Sequence, residues 1–356
     1  MKENSDTLLV LGEQVDRAVT ICTAYQHHWG LHTRLWEAAY HKAGRPLSLA
    51  GAELIANAVK PKDTVIISAG WIKHPFHEQG EYDGYAGTAS LARAINLGLG
   101  ARVLIVTDEA CVEPFRQVMD AAEMRVWEFQ RFLESPVYRA TSIVSFPVQR
   151  EKAKTAAVSL LDQVHARVLI AIERSDENEY GVHHTGTGGD MSLWTAKVPY
   201  LFREAKARGI PTIGCFDMGN ELGGAFIRET VREHVATGKK CTCGCGGGIA
   251  GVTETTLGVV GRSSNAAAYG IAACLAGLVG RAEVLQDRDL QRRIMERLMT
   301  IPLADGSTLV SSFTEDGTPG ELVLDQIDLL QRLVFCSIET KNFPWERPPF
   351  VENQPA

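Results

Sequence analysis

The sequence predicts an α/β fold, a layered, Rossmann-like sandwich in which helices flank a mainly parallel β-sheet. Short runs rich in β-branched residues each end at polar or glycine-rich residues, which is typical of buried parallel strands. Segments with helical spacing lie between these runs, and this alternation favours a layered α/β architecture. The strand-like runs are DTVIISAG (63–70), ARVLIVTD (101–108), ARVLIAIE (166–173), IPTIGCFD (210–217) and TTLGVVG (255–261). The helical segments between them span 87–100, 152–165, 193–209 and 265–280.

The rest of the chain is predicted to complete the same unit. The first 60 residues have helical patterns, and two more helices, at 289–301 and 320–335, are expected to flank or cap the sheet. Because no internal repeat or linker is evident, residues 1–356 are predicted to form a single α/β domain. The proline-rich segment 340–356 is expected to be an extended tail.

Charge and hydropathy exclude several classes of function. The net charge of −7 and the absence of a long basic run argue against a nucleic-acid partner. The longest uncharged apolar stretch, 266–280, is shorter than the roughly 20 residues that a membrane-spanning helix needs. No secretory signal is evident at the N-terminus, so a cytoplasmic location is expected.

The cysteines are expected to be reduced. Five of the eight are scattered in or beside apolar segments, which suits buried thiols better than a disulfide framework. Cys241, Cys243 and Cys245 alternate in CTCGCGGG, but zinc sites usually have four ligands and often contain CxxC pairs. Without an obvious fourth ligand, a mobile, glycine-rich surface loop is favoured over a metal site.

Acidic residues follow most of the proposed strands. In open α/β sheets ligands bind outside the carboxyl ends of the strands, where these residues would converge. Closely spaced carboxylates repel one another unless some are protonated or share a cation, and oxygen ligands suit Mg²⁺, Mn²⁺ or Ca²⁺. A divalent ion is therefore one hypothesis, and the alternative is that half of these acids cap helices or face solvent. The acids are Glu78, Glu81, Asp83, Asp108, Glu173, Asp217 and Glu221.

Two loops are open to two interpretations. HEQGEYDGYAG carries acids that could bind a ligand, but it also reads as an acidic N-terminal cap in which Gly84 and Gly87 make the turn. HTGTGGD (184–190) resembles an anion-binding loop before a helix, but a flexible loop is the commoner outcome. Its glycine spacing matches neither the dinucleotide fingerprint nor a P-loop, so no nucleotide cofactor is predicted.

Five segments, taken in order, resemble the D-glutamate cyclase-like family. The resemblance runs from about Ser68 to Asp316, and five ordered segments are more specific than any one of them. Three positions depart from the family pattern: Phe216 and Met218 stand where glycines are expected, and Ala266 where a tryptophan is expected. The segments are AGWIKHPFHEQGEYDGYAGTASLARAI, IAIERSDENEYG, GIPTIGCFDMGNELGGA, VVGRSSNAAAYGIAACL and ADGSTLVSSFTEDGTPGE.

The resemblance implies a lyase of D-amino acid metabolism that interconverts D-glutamate and 5-oxo-D-proline. Such a reaction needs a group to activate water, a group to stabilise the lactam oxygen and an anchor for the substrate carboxylate. Asp217 and Glu221 follow one strand, so they are assigned to general base catalysis or metal ligation. The other candidate metal ligands are Glu81 and Asp83. The remaining candidates are Glu173 and His77 for proton transfer, and Gly84, Arg174, Asn220, Ser264 and Asn265, with Glu81 and Asp83, for substrate binding.

Two alternatives remain open at this point. Carboxylates with a divalent ion also suit a hydrolase of another small anion, such as a phosphoester. The same acids could instead hold an amino acid or a metal in a protein that breaks no bond. The expected partner is a small acidic amino acid or its lactam, and a homo-oligomer is expected.

Overall fold

The computed structural model describes residues 2–22, 30–75, 77–134 and 140–339 of the chain. The tail predicted at 340–356 lies outside these residues. The strands are β1 (Thr64–Ala69), β2 (Arg102–Thr107), β3 (Arg125–Val126), β4 (Ala140–Ser145), β5 (Ala166–Ile172), β6 (Thr212–Phe216), β7 (Leu257–Val260), β8 (Thr314–Glu315) and β9 (Thr318–Pro319).

Strands β1 to β7 form one parallel sheet in the order β3-β4-β2-β1-β5-β6-β7. Strands β2, β3 and β4 lie on one side of β1, and β5, β6 and β7 lie on its other side. The order therefore reverses between β1 and β5, where Ser68 pairs with Ala171. In doubly wound sheets this switch point is where ligands bind. Strands β8 and β9 form a separate antiparallel pair.

All five predicted strands are confirmed, but β3 and β4 were missed. The sequence of β4, ATSIVS, mixes three hydroxyl-bearing residues with three apolar ones and does not read as a buried strand. It is nevertheless mostly buried between β2 and β3. The Thr141 hydroxyl donates to the Val103 carbonyl of β2 at 2.6 Å.

The helices agree with the predicted pattern except at one start. The predicted segment 193–209 becomes helical only at Pro199, whose fixed φ suits the first turn of a helix. HTGTGGD is consequently followed by turns and not directly by a helix. The helices are α1 (Lys2–Thr20), α2 (Leu31–Ala43), α3 (Leu47–Ala58), α4 (Tyr85–Leu99), α5 (Val112–Ala121), α6 (Phe129–Glu134), α7 (Arg150–Val164), α8 (Pro199–Ala207), α9 (Arg228–His234), α10 (Ser264–Val279), α11 (Arg288–Thr300) and α12 (Gly320–Glu339).

Apolar side chains cover both faces of the sheet. On one face α10 is buried along most of its length and packs against α1, α3, α4 and α12. Its sequence is rich in alanine and glycine, which lets neighbouring helices approach closely. On the other face α7 and α8 contribute Leu161, Leu201 and Phe202 to a second core. In the part of the chain that the structure describes, no helix is both long and apolar enough to cross a membrane.

Candidate active site

A cluster of carboxylates lies at the carboxyl ends of β1, β5 and β6, beside the switch point of the sheet. Carboxylate oxygens of Glu173, Asp217 and Glu221 lie within 4.8 Å of one another. Oxygens of Asp83, Asp217 and Asp316 form a second such group, so Asp217 belongs to both. We call these five residues the acid cluster. The structure thus brings together four acids that the sequence placed at one sheet edge and adds a fifth.

Asp217 and Glu221 interact within this cluster, and the pKa of each is raised. Burial, followed by the charge of Glu221, raises the pKa of Asp217 well above its usual range. Burial also raises the pKa of Glu221, but hydrogen bonds from the Gly219 amide and from Asp217 partly offset the increase. The Gly219 amide donates to Oε2 of Glu221 at 2.6 Å. Both carboxyls are thus more readily protonated than in water, Asp217 more strongly so than Glu221.

The neighbouring acids are held in a strongly electronegative environment. Burial and then the charges of Glu221 and Asp217 raise the pKa of Glu173 well above its usual range. Glu173 directly follows β5 in a left-handed conformation, with φ of 47°. Such a conformation is strained for a residue other than glycine and is concentrated at functional sites. The Ser264 hydroxyl donates to Glu173 Oε2 at 2.6 Å, which fixes the orientation of this carboxylate.

Asp83 and Asn265 cap each other's helices, which confirms part of the capping alternative. The amides of Ser264 and Asn265, at the start of α10, donate to the Asp83 carboxylate at 2.9 and 2.8 Å. In return, Oδ1 of Asn265 accepts the amides of Gly84 and Gly87 at the start of α4, at 3.0 and 2.6 Å. These amides satisfy helix ends, so they are not available to a substrate carboxylate.

Gly84 occupies a position that a larger residue would disturb. Its φ is 90°, and a Cβ atom there would lie 3.1 Å from Cβ of Glu173 and 3.2 Å from the Ile172 carbonyl oxygen. Gly84→Ala is therefore expected to lower the free energy of unfolding by about 3 kcal/mol, from backbone strain and crowding together. Chemical denaturation measures this change.

Gly280 supplies the matched control. It also has a positive φ, of 69°, but nothing lies within 4 Å of the position of its Cβ. Gly280→Ala is expected to cost only about 1 kcal/mol, the conformational part of the effect. Equal losses in the two variants would contradict the close approach of Gly84 to the end of β5.

Glu81 lies beside the acid cluster but belongs to neither group of converging oxygens. Burial, and then the charges of Asp316 and Asp83, raise its pKa well above the usual range, while Lys73 acts in the opposite direction. The turn at Gly306 packs against its carboxylate, since a Cβ there would lie 2.3 Å from Glu81 Oε2. Glu81 thus acts on the cluster through its charge.

His77 is neutral at physiological pH. Burial, with a smaller contribution from Lys73, lowers its pKa to about 4, although Asp305 opposes the shift. Neither ring nitrogen has a hydrogen-bond partner among the described residues. A buried, neutral imidazole of this kind can accept or pass on a proton.

Asn220 presents a buried acceptor next to Glu221. Its Nδ2 donates to the backbone carbonyl of His184 at 3.0 Å, and the backbone carbonyl of Asn220 accepts the Asp176 amide at 2.9 Å. Its Oδ1 is buried and has no hydrogen-bond partner in the described part of the chain. Met218, two residues earlier, turns its sulfur toward the loop at Gly186, where a Cβ would lie only 2.8 Å away.

The structure does not bring Arg174 into the acid cluster. Its side chain is fully buried and forms an ion pair with Asp108. It also donates to the carbonyls of Gly70 and Ala196 at 2.7 and 3.0 Å. Arg174 therefore joins the ends of β1, β2 and β5 and is not placed to bind a substrate carboxylate. Glu78, in turn, is exposed and pairs with His74 at 3.4 Å.

Sequence reasoning missed three acids near the end of the chain. Asp316 joins the acid cluster, and Asp305 organises the turns by accepting the Gly317 amide at 2.9 Å and the Thr308 amide at 2.7 Å. Glu315 pairs with Arg262 and accepts the hydroxyl of Tyr269 at 2.6 Å. The two Asp-Gly turns were visible in the sequence and could have identified them.

The cluster is nearly closed to solvent. Asp217 retains only 8% exposure and Glu81, beside the cluster, 9%, whereas Asp316 is half-buried, so a ligand would enter on the side of Asp316. A surface cavity of about 560 Å³ beside α5, lined by Glu113, Arg116 and Arg297 among others, contains none of these acids. The converging carboxylates with raised pKa values, and not this cavity, mark the candidate site.

A doubly wound sheet with a buried cluster of carboxylates beside its switch point is typical of an α/β protein that binds a small ligand there. Comparison with known families is more specific. The model of the D-glutamate cyclase-like, C-terminal family matches residues 20–331, and the chain belongs to this family. The expected fold class and family are therefore both confirmed.

A characterised relative is similar over part of its length. The chain is 26% identical over 215 residues to D-glutamate cyclase, mitochondrial, of Homo sapiens. The matched region covers 60% of this chain but only 32% of the human protein. The chain thus spans about a third of that relative, and the activity of the whole relative is a proposal for this chain.

Proposed function

We propose that this protein interconverts D-glutamate and 5-oxo-D-proline by reversible hydrolysis of the lactam. The observation that carries the proposal is the Asp217–Glu221 pair, two buried carboxyls whose hydrogen bond raises the pKa of Asp217 and partly offsets the burial that raises the pKa of Glu221. Lactam hydrolysis requires such an acid and base at one place. Membership of the D-glutamate cyclase-like family supports this choice of substrate.

In the proposed reaction Glu221 acts as the base and Asp217 as the acid. Glu221 takes a proton from water as the water oxygen bonds to the lactam carbonyl carbon. Asp217 then gives its proton to the lactam nitrogen as the carbon–nitrogen bond breaks, which yields the side-chain carboxylate and the amine of glutamate. Ring closure is the reverse, with water as the second product. Glu173, which accepts a hydrogen bond from the Ser264 hydroxyl, would accept or release protons during the reaction, and His77 would relay protons.

Asn220 and Lys73 are the proposed contacts to the substrate. The unpaired Oδ1 of Asn220 is an acceptor for the lactam N–H. Lys73 is the cation whose charge acts on both Glu81 and His77, so it is the proposed anchor for the substrate carboxylate. In this role it replaces Arg174, which is committed to Asp108.

A divalent ion fits the acid cluster. The two groups of converging oxygens, which share Asp217, offer only hard oxygen ligands and an excess of negative charge. The proposed ligands are Asp83, Glu173, Asp217, Glu221 and Asp316, with Glu81 nearby. This is the alternative to the acid and base roles of Asp217 and Glu221, since a carboxylate bound to the ion cannot also carry the proton. When bound, Mg²⁺, Mn²⁺ or Ca²⁺ would neutralise the carboxylates and polarise a carbonyl oxygen.

The raised pKa values predict how stability depends on pH. The folded state keeps protons on Glu173 and Asp217 that the unfolded chain loses above about pH 4, so their stabilising contribution is lost as pH rises through the folded pKa values. The lowered pKa of His77 acts in the opposite direction, but only between pH 4 and about 6.5. In buffer without divalent ions, the melting temperature is therefore expected to fall as the pH rises above about 6.5.

Added Mg²⁺ or Mn²⁺ is expected to reduce this fall in melting temperature, because a bound cation neutralises the negative charge of the ionised acids. Asp217→Asn, which removes the shared carboxylate, is expected to flatten the pH dependence. Differential scanning fluorimetry across pH, with and without each ion, measures both effects. A melting temperature that rises with pH in the metal-free wild type would contradict the protonated cluster.

An activity assay tests the proposed reaction. The protein is incubated with 5-oxo-D-proline, without added metal and with Mg²⁺, Mn²⁺ or Ca²⁺ in turn, and glutamate is measured by chiral chromatography. D-glutamate is expected to accumulate. If no condition gives turnover but calorimetry detects binding of the amino acid or the metal, the protein is a binder. Hydrolysis of para-nitrophenyl phosphate without lactam opening would instead indicate a phosphoesterase.

A further inference from the structure

Three cysteines and a histidine converge at the surface, away from the acid cluster. Sγ of Cys241 lies 3.3 Å from Sγ of Cys243 and 3.4 Å from Sγ of Cys245. Nε2 of His184 lies 3.3 Å from Sγ of Cys243 and 3.5 Å from Sγ of Cys245. All four ligand atoms lie within 4.8 Å of one another. We call these residues the Cys₃His cluster.

We propose that the Cys₃His cluster binds one structural Zn²⁺ ion. Three thiolates and an imidazole are a ligand set typical of tetrahedral zinc. Zinc–sulfur bonds of about 2.3 Å and zinc–nitrogen bonds of about 2.0 Å, arranged tetrahedrally, separate the ligand atoms by roughly 3.5–3.8 Å. The observed separations are only slightly shorter, so small side-chain movements would admit the ion. Four protein ligands fill the coordination shell, which indicates a structural site and not a catalytic one.

The surrounding backbone holds the two ligand-bearing loops together. The amides of Thr242 and Cys243 both donate to the Gly188 carbonyl, at 3.2 and 3.1 Å. Nδ2 of Asn178 donates to Sγ of Cys245 at 3.3 Å and to the Gly248 carbonyl at 2.9 Å. N–H donors of this kind stabilise a thiolate and orient metal ligands. The segment that the sequence suggested was a mobile loop is thus hydrogen-bonded into a preformed arrangement.

The Cys₃His cluster is also linked to the loop that carries Glu221. The His184 carbonyl accepts Nδ2 of Asn220 at 3.0 Å, and Asn220 immediately precedes Glu221. A zinc ion on His184 would therefore help to hold this loop in place. The four ligands would be positioning residues, because they do not touch the acid pair.

Metal analysis of the intact protein tests the proposal. Wild-type protein, purified under reducing conditions, is expected to contain about one zinc per chain by mass spectrometry. Cys243→Ser and His184→Ala are expected to lose most of this zinc. Cys336→Ser, which removes an exposed cysteine from α12, is expected to retain it. Glu221→Gln is also expected to retain it, so the result does not depend on the proposed enzymatic activity.

A second measurement covers variants that fail to fold. Zinc is removed from the wild-type protein with a chelator, and Co²⁺ is added back. The absorption bands of tetrahedral cobalt thiolate and a higher melting temperature are expected, since an ion that binds only the folded state stabilises it. The proposal is overturned if wild-type protein contains no zinc and takes up neither Zn²⁺ nor Co²⁺, or if native mass spectrometry shows a disulfide between two of the three cysteines.

Discussion

Glu221→Gln is expected to lower kcat for the opening of 5-oxo-D-proline by about 10²- to 10⁴-fold, the range typical of a lost general base. Glutamine has nearly the same shape as glutamate and can still accept the Gly219 amide, but it cannot take a proton from water. The Gly219 amide and Asp217 partly offset the burial that raises the pKa of Glu221, which favours the ionised form that the proposed reaction uses. Steady-state kinetics with chiral detection of glutamate measures the loss.

Glu254→Gln is the matched control for this substitution. Glu254 is exposed and pairs with Lys206 on the surface, so its variant should keep wild-type kinetics. The Glu221→Gln variant should unfold within about 1 kcal/mol of the wild type, because the loop keeps its hydrogen bond to Gly219. Full activity in a folded Glu221→Gln variant would remove Glu221 from the proposed mechanism.

Arg174→Met is expected to reduce the free energy of unfolding by about 3–5 kcal/mol, since it leaves Asp108 buried without its charged partner. The guanidinium also binds the carbonyls of Gly70 and Ala196, which would lose their donors. This change is large compared with the stability of a typical domain, so low yields of folded protein are expected. Chemical denaturation of whatever protein folds measures the remaining stability.

Arg116→Met provides the comparison. Arg116 is an exposed partner of Glu113 on α5, and loss of this surface pair should change stability by no more than about 1 kcal/mol. The two arginine variants also separate the two roles considered for Arg174. If Arg174→Met were as stable as the wild type but had a greatly raised KM for 5-oxo-D-proline, the substrate-binding role expected from the sequence would be right.

The end of the sheet at which the acids lie could be predicted because buried parallel strands have a recognisable sequence pattern, a short apolar run that ends at polar residues. Runs such as ARVLIAIE end abruptly at an acid, and parallel topology then places Glu173 and Asp217 side by side. Strand β4 was hidden because half of its residues carry hydroxyls, and a contact such as that of the Thr141 hydroxyl with the Val103 carbonyl is a tertiary effect that no local pattern reveals. The capping of α10 by Asp83 was equally invisible, because the donor amides lie far along the chain.

The chemistry of the site was predictable only in part, for a similar reason. Residue type and strand position identified Asp217 and Glu221, but they could not distinguish a substrate anchor from the buried ion pair that Arg174 makes. Likewise, His184 precedes Cys243 by 59 positions, so the spacing of the cysteines gave no sign of a fourth ligand. Contacts between distant segments decided each of these cases.

The proposed reaction is tested most directly by running it in ¹⁸O-labelled water. Wild-type protein is incubated with 5-oxo-D-proline, and the glutamate formed is separated by chirality and analysed by mass spectrometry. Hydrolysis of the lactam predicts D-glutamate with one ¹⁸O atom in its side-chain carboxylate, and the same protein should form 5-oxo-D-proline from D-glutamate. If neither compound is converted with Mg²⁺, Mn²⁺ or Ca²⁺ present, while the protein is folded, the proposed function is wrong.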